Sequence, residues 1–170
     1  MTTQDPSSPD EGAAAVSVFT PMLAQGLAYW QRLRGDRTMP ARRDIDPVDI
    51  PGLLPYVLLV DVDDEPVAFR YRLVGSIIVS RSVRDYTGMN MTDLPAQRPP
   101  SRLWDLYLRS VTERQPVAML IPRLGHEEDP AYSVSILAAP LSSDGTVVDM
   151  LFGIVDFSRL RDEVLSKPVM

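Results

Sequence analysis

The chain has no cysteine, one histidine, and a single lysine, Lys167, among its 17 basic residues. Without cysteine there can be no disulfide, no thiol nucleophile, no Cys-ligated zinc and no iron–sulfur cluster. The lone histidine, His126, sits beside Glu127 and Glu128 in an acidic turn. A catalytic or metal-binding imidazole needs partner groups around it, and none is in view, so His126 reads as a solvated turn residue rather than a pH switch. No apolar run approaches the roughly 18 residues that a membrane span requires. The first twenty residues lack a basic start followed by an apolar stretch, so no secretory signal is visible and a cytoplasmic location is expected. Positive charge is short as well. The net charge of −6, half of it from Asp5, Asp10 and Glu11, argues against a dedicated nucleic-acid binder. Paired catalytic carboxylates, a Walker sequence and a calcium loop are all missing: Asp61, Asp63, Asp64 and Glu65 lack the glycine and terminal glutamate of an EF-hand.

What is present is a globular chain, 45% hydrophobic over 170 residues, long enough for one domain with a core and too short for two. Residues 1–16 are small, polar and acidic and are expected to be a disordered tail, with a single domain over 17–165. Thr20 followed by Pro21 gives an N-cap and a first-turn proline, and Gly35 is a natural stop, which predicts a helix to Arg34. Leu23, Leu27, Trp30 and Arg34 form one stripe of that helix, flanked by Met22, Tyr29 and Leu33. The stripe is expected either to cap the chain's own sheet or to mediate homodimerisation.

From Met39 to Pro55 four prolines preclude a long helix, so the segment is expected to be a stiff strap pinned by Ile45, Ile50, Leu53 and Leu54. A hairpin follows. Leu58, Val60 and Val62 alternate with Leu59, Asp61 and Asp63, and Phe69, Tyr71 and Leu73 alternate with Arg70 and Arg72. Pairing around Asp64 and Glu65 puts both apolar rows on one face and Asp61 with Arg70 and Arg72 on the other. Residues 75–99 read as short helical turns broken at Gly88 and Pro95. A helix from about Pro100 to Arg114 carries Trp104, Tyr107, Leu108 and Val111 at helical spacing. Three strands, over 117–123, 131–141 and 146–157, close the chain before a short C-terminal helix that Ser158 can cap.

Two strands, a broken helical section, one longer helix and three antiparallel strands form an order that resembles the PAS fold. The run YWQRLRGDRTMPARRDIDPVDIPGLLPYVLLVDV, then FRYRLVGSIIV, then Asp85, Thr87 and Gly88 in an Asp-x-Thr-Gly pattern, is similar to the short bacterial chains of the fifth PAS profile group. The resemblance covers about Tyr29 to Phe157 and implies an α+β fold: a five-stranded antiparallel sheet with flanking helices, here with an extra N-terminal helix. It implies a sensory or protein-interaction module, and no enzyme. Such a module would act in trans, since the chain has no room for a kinase, cyclase or DNA-binding segment. A flavin–cysteinyl adduct is excluded, and so is haem held by a histidine on the longer helix. No cofactor is therefore expected, and the expected partners are other signalling proteins or a second copy. Tyr71, Trp104, Tyr107, Leu108 and Tyr132 are candidate linings of a ligand pocket, against the plainer reading that they are core. Arg32, Arg34, Arg37, Arg42 and Arg43 could hold an acidic partner or a phosphate-bearing ligand, or could simply serve the helix end and solvent. Two other readings stay open: a small cone-shaped α+β enzyme of isomerase or dehydratase type, and a ligand-free adaptor.

Overall fold

A computed structural model describes residues 18–122 and 133–159. The acidic tail, His126, Tyr132 and the expected C-terminal helix lie outside the described residues. Helix α1 runs Pro21–Arg34, as its caps dictate: the Thr20 hydroxyl accepts from the Leu23 amide at 3.2 Å, and Gly35 ends the helix at φ +56°. The proline strap then advances through three 3-10 turns, Arg42–Asp44, Pro47–Asp49 and Leu54–Tyr56. Ile50 and Leu53 are buried and Ile45 is half-buried, but Leu54 is exposed. Its backbone carbonyl, and not its side chain, faces inward against Gly75.

Strands β1 (Val57–Asp64) and β2 (Val67–Val74) form the expected hairpin, turning at Glu65 and Pro66, one residue later than expected. Val60 pairs with Tyr71 and Val62 with Phe69, which makes the inner apolar rows. A bulge interrupts the register: Leu59 pairs with Leu73, leaving Arg72 as the extra residue. Leu73 is thereby moved off the Tyr71 row to the outer face, where it is 40% exposed. Strict alternation predicted the opposite face for it. On that outer face Arg72 Nε lies 3.4 Å from Asp61 Oδ1, an exposed pair worth about 0–1 kcal/mol.

Helix α2 (Ser76–Arg81) and a 3-10 turn at Met91–Asp93 lead to α3 (Arg102–Glu113), which the Ser101 hydroxyl caps at the Trp104 amide, 3.1 Å away. The most deeply buried residues of α3 are Leu106, Tyr107 and Ser110, while Trp104, Leu108 and Val111 are only partly covered. The helix is rolled about its axis relative to the sequence stripe because Ser110 supplies a polar contact. Its hydroxyl donates to the Ala138 carbonyl of the sheet at 3.2 Å.

Strands β3 (Val117–Pro122), β4 (Ser133–Leu141) and β5 (Met150–Asp156) complete one antiparallel sheet in the order β2-β1-β5-β4-β3. β5 begins four residues later than expected. Asp144 draws the Thr146 and Val147 amides onto its own carboxylate, at 2.8 and 2.9 Å, so those residues turn instead of pairing.

Both sheet faces are covered. α1 lies on the outer face, where Gly26 approaches Ile154 so closely that a Cβ would stand 2.6 Å from its side chain. The Trp30 indole donates to the Pro140 carbonyl at 2.8 Å. α3 covers the inner face. Double burial explains why β5 reads as an almost unbroken apolar run and is buried at every position.

Two glycines separate steric need from loop convenience. Gly75 meets the Pro55 backbone wherever a Cβ would sit, whereas nothing lies within 4 Å of Gly52. Gly75→Ala should therefore cost about 1–3 kcal/mol in urea unfolding, and Gly52→Ala should be neutral or stabilising by up to about 1 kcal/mol. Equal midpoints for the two variants would contradict this packing.

Candidate functional site

The inner face brings two phenols together. Tyr71 reaches in from the middle of β2 and Tyr107 comes down from α3, and both are almost completely buried. The Tyr71 hydroxyl donates to Gln97 Oε1 at 2.6 Å. The Tyr107 hydroxyl is enclosed and has no hydrogen-bond partner of ordinary geometry among the described residues. Rings pack around the pair. Phe69 stands edge-on to Trp104 at 4.8 Å and to Tyr107 at 5.5 Å between centroids, and Tyr86 stacks on Tyr71 at 5.9 Å.

Electrostatically the site is neutral. Burial drives the Tyr71 phenol well above its ordinary value of 10.0, helped by the neighbouring Tyr107 and Tyr86. Burial likewise drives Tyr107 far up, with the adjacent Tyr71 hydroxyl opposing slightly. No charged side chain is among the causes for either. The arrangement can offer and accept hydrogen bonds, and both phenols stay protonated at neutral pH.

The segment between α2 and α3 forms the side wall, and the Asp-x-Thr-Gly pattern explains its shape. One carboxylate oxygen of Asp85 accepts from the Thr87 amide at 2.9 Å and the Thr87 hydroxyl at 2.7 Å, closing a tight turn. These bonds hold the exposed Asp85 carboxyl below its ordinary value of 3.8. Gly88 follows at φ +83°, and its amide donates to the Tyr71 carbonyl at 2.7 Å. The same backbone that carries Tyr71 therefore anchors the wall that carries Tyr86 and Gln97.

Of the candidate lining residues, Trp104 and Tyr107 meet through Phe69, Tyr71 lies beside Tyr107, Leu108 lies half-buried against the core, and Tyr132 is outside the described residues. Gln97 was not legible from its surroundings: a glutamine in a Pro-rich loop carries no signal until the loop folds back. Of the α1 residues, Leu23 and Trp30 face the chain's own sheet, and Leu27 is half-buried there. Arg34 lies with its guanidinium 5.7 Å from the Trp30 ring, its Nε enclosed. The other arginines mostly clasp the strap. Arg32 pairs with Asp49 at 3.1 Å, Arg37 with Asp44 at 2.8 Å, and Arg42 donates to the Ile45 carbonyl at 3.4 Å. The Tyr29 hydroxyl accepts from the Asp46 amide and donates to the Asp46 carbonyl, at 3.0 and 3.2 Å. A groove of about 440 Å³ remains between α1 and the strap, floored by Tyr29, Ile50 and Leu53 and rimmed by Arg32 and Asp49. Among the described residues there is no cluster of His, Cys, Asp or Glu able to hold a metal ion.

The PAS domain model fits residues 18–156. The chain belongs to the PAS domain family. The family is a sensory and signalling type of module. This PAS chain is similar to a sensory box sensor histidine kinase from Vibrio cholerae, at 15% identity and a TM-score of 0.45, over 64% of this chain and 86% of that one. No curated protein matches it. No helix among the described residues is long and apolar enough to cross a membrane.

Two of the six tyrosines should resist alkaline titration. A phenol whose folded value is raised leaves stability intact below pH 10 and erodes it as the pH climbs past 10, since only the unfolded chain then ionises. Absorbance at the phenolate band should show Tyr71 and Tyr107 ionising only with global unfolding. Their titration near pH 10 in a folded protein would contradict the burial.

Proposed function

We propose that the protein is a sensory module that works in trans, binding a small neutral molecule between the sheet and α3 and reporting it through a changed protein contact. The observation that supports this reading is the Tyr107 hydroxyl, enclosed beside the Tyr71 hydroxyl with no hydrogen bond of ordinary geometry among the described residues. A buried hydroxyl left poorly satisfied costs at most about 1–3 kcal/mol, a penalty that a bound hydrogen-bonding molecule removes. The surrounding rings and the Gln97 amide suit a compact, flat or branched neutral compound with a polar atom.

The route outward follows from the wall. Residues 85–98 hold Tyr86 and Gln97 against the phenols and also form exposed surface at Asp85, Thr87 and Arg98. A ligand that prefers one arrangement of this wall shifts the population of its outer surface, and only by its difference in affinity for the two arrangements. Neutral phenols without an acid–base partner give no support to the isomerase or dehydratase reading.

Native mass spectrometry of protein purified from its own host should reveal a retained molecule released on denaturation. Tyr107→Phe should retain at least about tenfold less, in line with losing a buried hydrogen bond, while unfolding at an equal or higher urea concentration. An empty core in the natural protein favours the ligand-free adaptor instead.

A further inference from the structure

The two edges of the sheet differ. Along β2 the open side is already occupied: the Tyr71 amide donates to the Met89 carbonyl at 3.0 Å, the Gly88 amide donates to the Tyr71 carbonyl, and Arg70 bridges to Asn90. Arg70 and Arg72 also charge that edge. At the other end of the sheet, β3 pairs with β4 from Val117 to Pro122. Among the described residues no backbone hydrogen bond reaches β3 from its other side. β3 carries no charged side chain, and Ala118, Met119, Leu120 and Ile121 are all only partly covered. Natural sheets usually protect such an edge with a charge, a bulge or a covering segment.

We propose that β3 is where two copies of this chain join, strand against strand and antiparallel, extending two five-stranded sheets into one. The unused amides and carbonyls of an edge accept an extended strand, which excludes a helix or a small molecule as the occupant. A second copy fits for an electrostatic reason. Self-pairing about a twofold axis sets a strand against itself, so any charge near the axis meets its own kind. β3 has no charge to repel, whereas β2 would oppose its own arginines. Because only one edge is open among the described residues, the contact is self-complementary and stops at two copies instead of running on as a fibre. Pro122 has no amide to donate and marks the end of the paired stretch. Five residues a side make a small interface, below the standard size of about 1,200–2,000 Å², so the dimer is weak and depends on concentration. The pairing does not depend on the ligand proposed above. It also leaves α1 in place, since Leu23 and Trp30 stay buried on their own sheet.

The test uses the full chain in sedimentation equilibrium from micromolar to millimolar concentration, with backbone amide exchange read by NMR. The expected result is a doubling of mass, accompanied by about tenfold or greater protection of the β3 amides that point away from β4. Leu120→Lys places a charge on the outer face of the edge, opposite the buried Ser135. It should abolish both signals while circular dichroism and the thermal midpoint of the monomer hold. Leu120→Thr, uncharged and suited to a strand, should keep both signals. Ala118→Lys, on the same face, gives the same reading should Leu120→Lys fold poorly. A single mass at every concentration overturns the proposal. So does a doubled mass with the outward β3 amides still exchanging freely, or one that Leu120→Lys leaves unchanged.

Discussion

The fold depends on α1 lying flat on the outer face of the sheet. β4 and β5 are apolar on both sides, and a sheet of that kind is stable only when both faces are covered. α3 supplies one cover and α1 the other, fixed by the Trp30 indole at the Pro140 carbonyl and by the close passage of Gly26 over Ile154. A glycine inside a helix costs about 1 kcal/mol relative to alanine. Here it allows the helix axis to approach the sheet closely enough to bury Leu23 and Trp30. The strap repeats the logic in polar form. The Tyr29 hydroxyl binds the Asp46 backbone both ways, and Arg32 and Arg37 reach across to Asp49 and Asp44. These exposed ion pairs contribute little each. Their value is geometric, since they hold the prolines against the helix they follow.

With the outer face closed, the chemistry is confined to the inner one, and that chemistry is neutral. Two buried phenols and a carboxamide lie among aromatic rings, with their acidities suppressed by burial. The cluster joins two elements distant in sequence, because Tyr71 bonds to the 88–89 backbone through its own main chain and to Gln97 through its side chain. The wall between α2 and α3 is thereby tied to the sheet at both its ends. The phenols and the wall are therefore in direct hydrogen-bonded contact.

Much of this was open to reading from the residues. The α1 caps, the proline strap, the hairpin, the long helix and the order of the last three strands follow from short-range rules. Local rules hold wherever the nearest neighbours in sequence are also the deciding neighbours in space. They failed at Leu73, which a bulge turned outward, at Leu54, whose backbone took the inward place, and at the start of β5, where Asp144 competed for the backbone. In each case one residue was decided by a partner far along the chain or by a side chain replacing a ladder bond. The arginine cluster near α1 shows the same limit, since its charges could be counted but their partners across the strap could not.

The amino-acid order by itself determined the main elements and their order, the absence of thiol chemistry and, through its motifs, the resemblance to the family. Composition, periodicity, capping and motifs are properties of contiguous segments. Only the tertiary structure decided that the Tyr107 hydroxyl would be enclosed beside that of Tyr71, that Gln97 would meet Tyr71, and that residues 88–90 would close one edge of the sheet while no backbone hydrogen bond from the described residues closes the other. Those facts arise where segments tens of residues apart come together. Hydrogen-bond satisfaction and edge coverage are sums over all neighbours in space, and a linear pattern does not contain them.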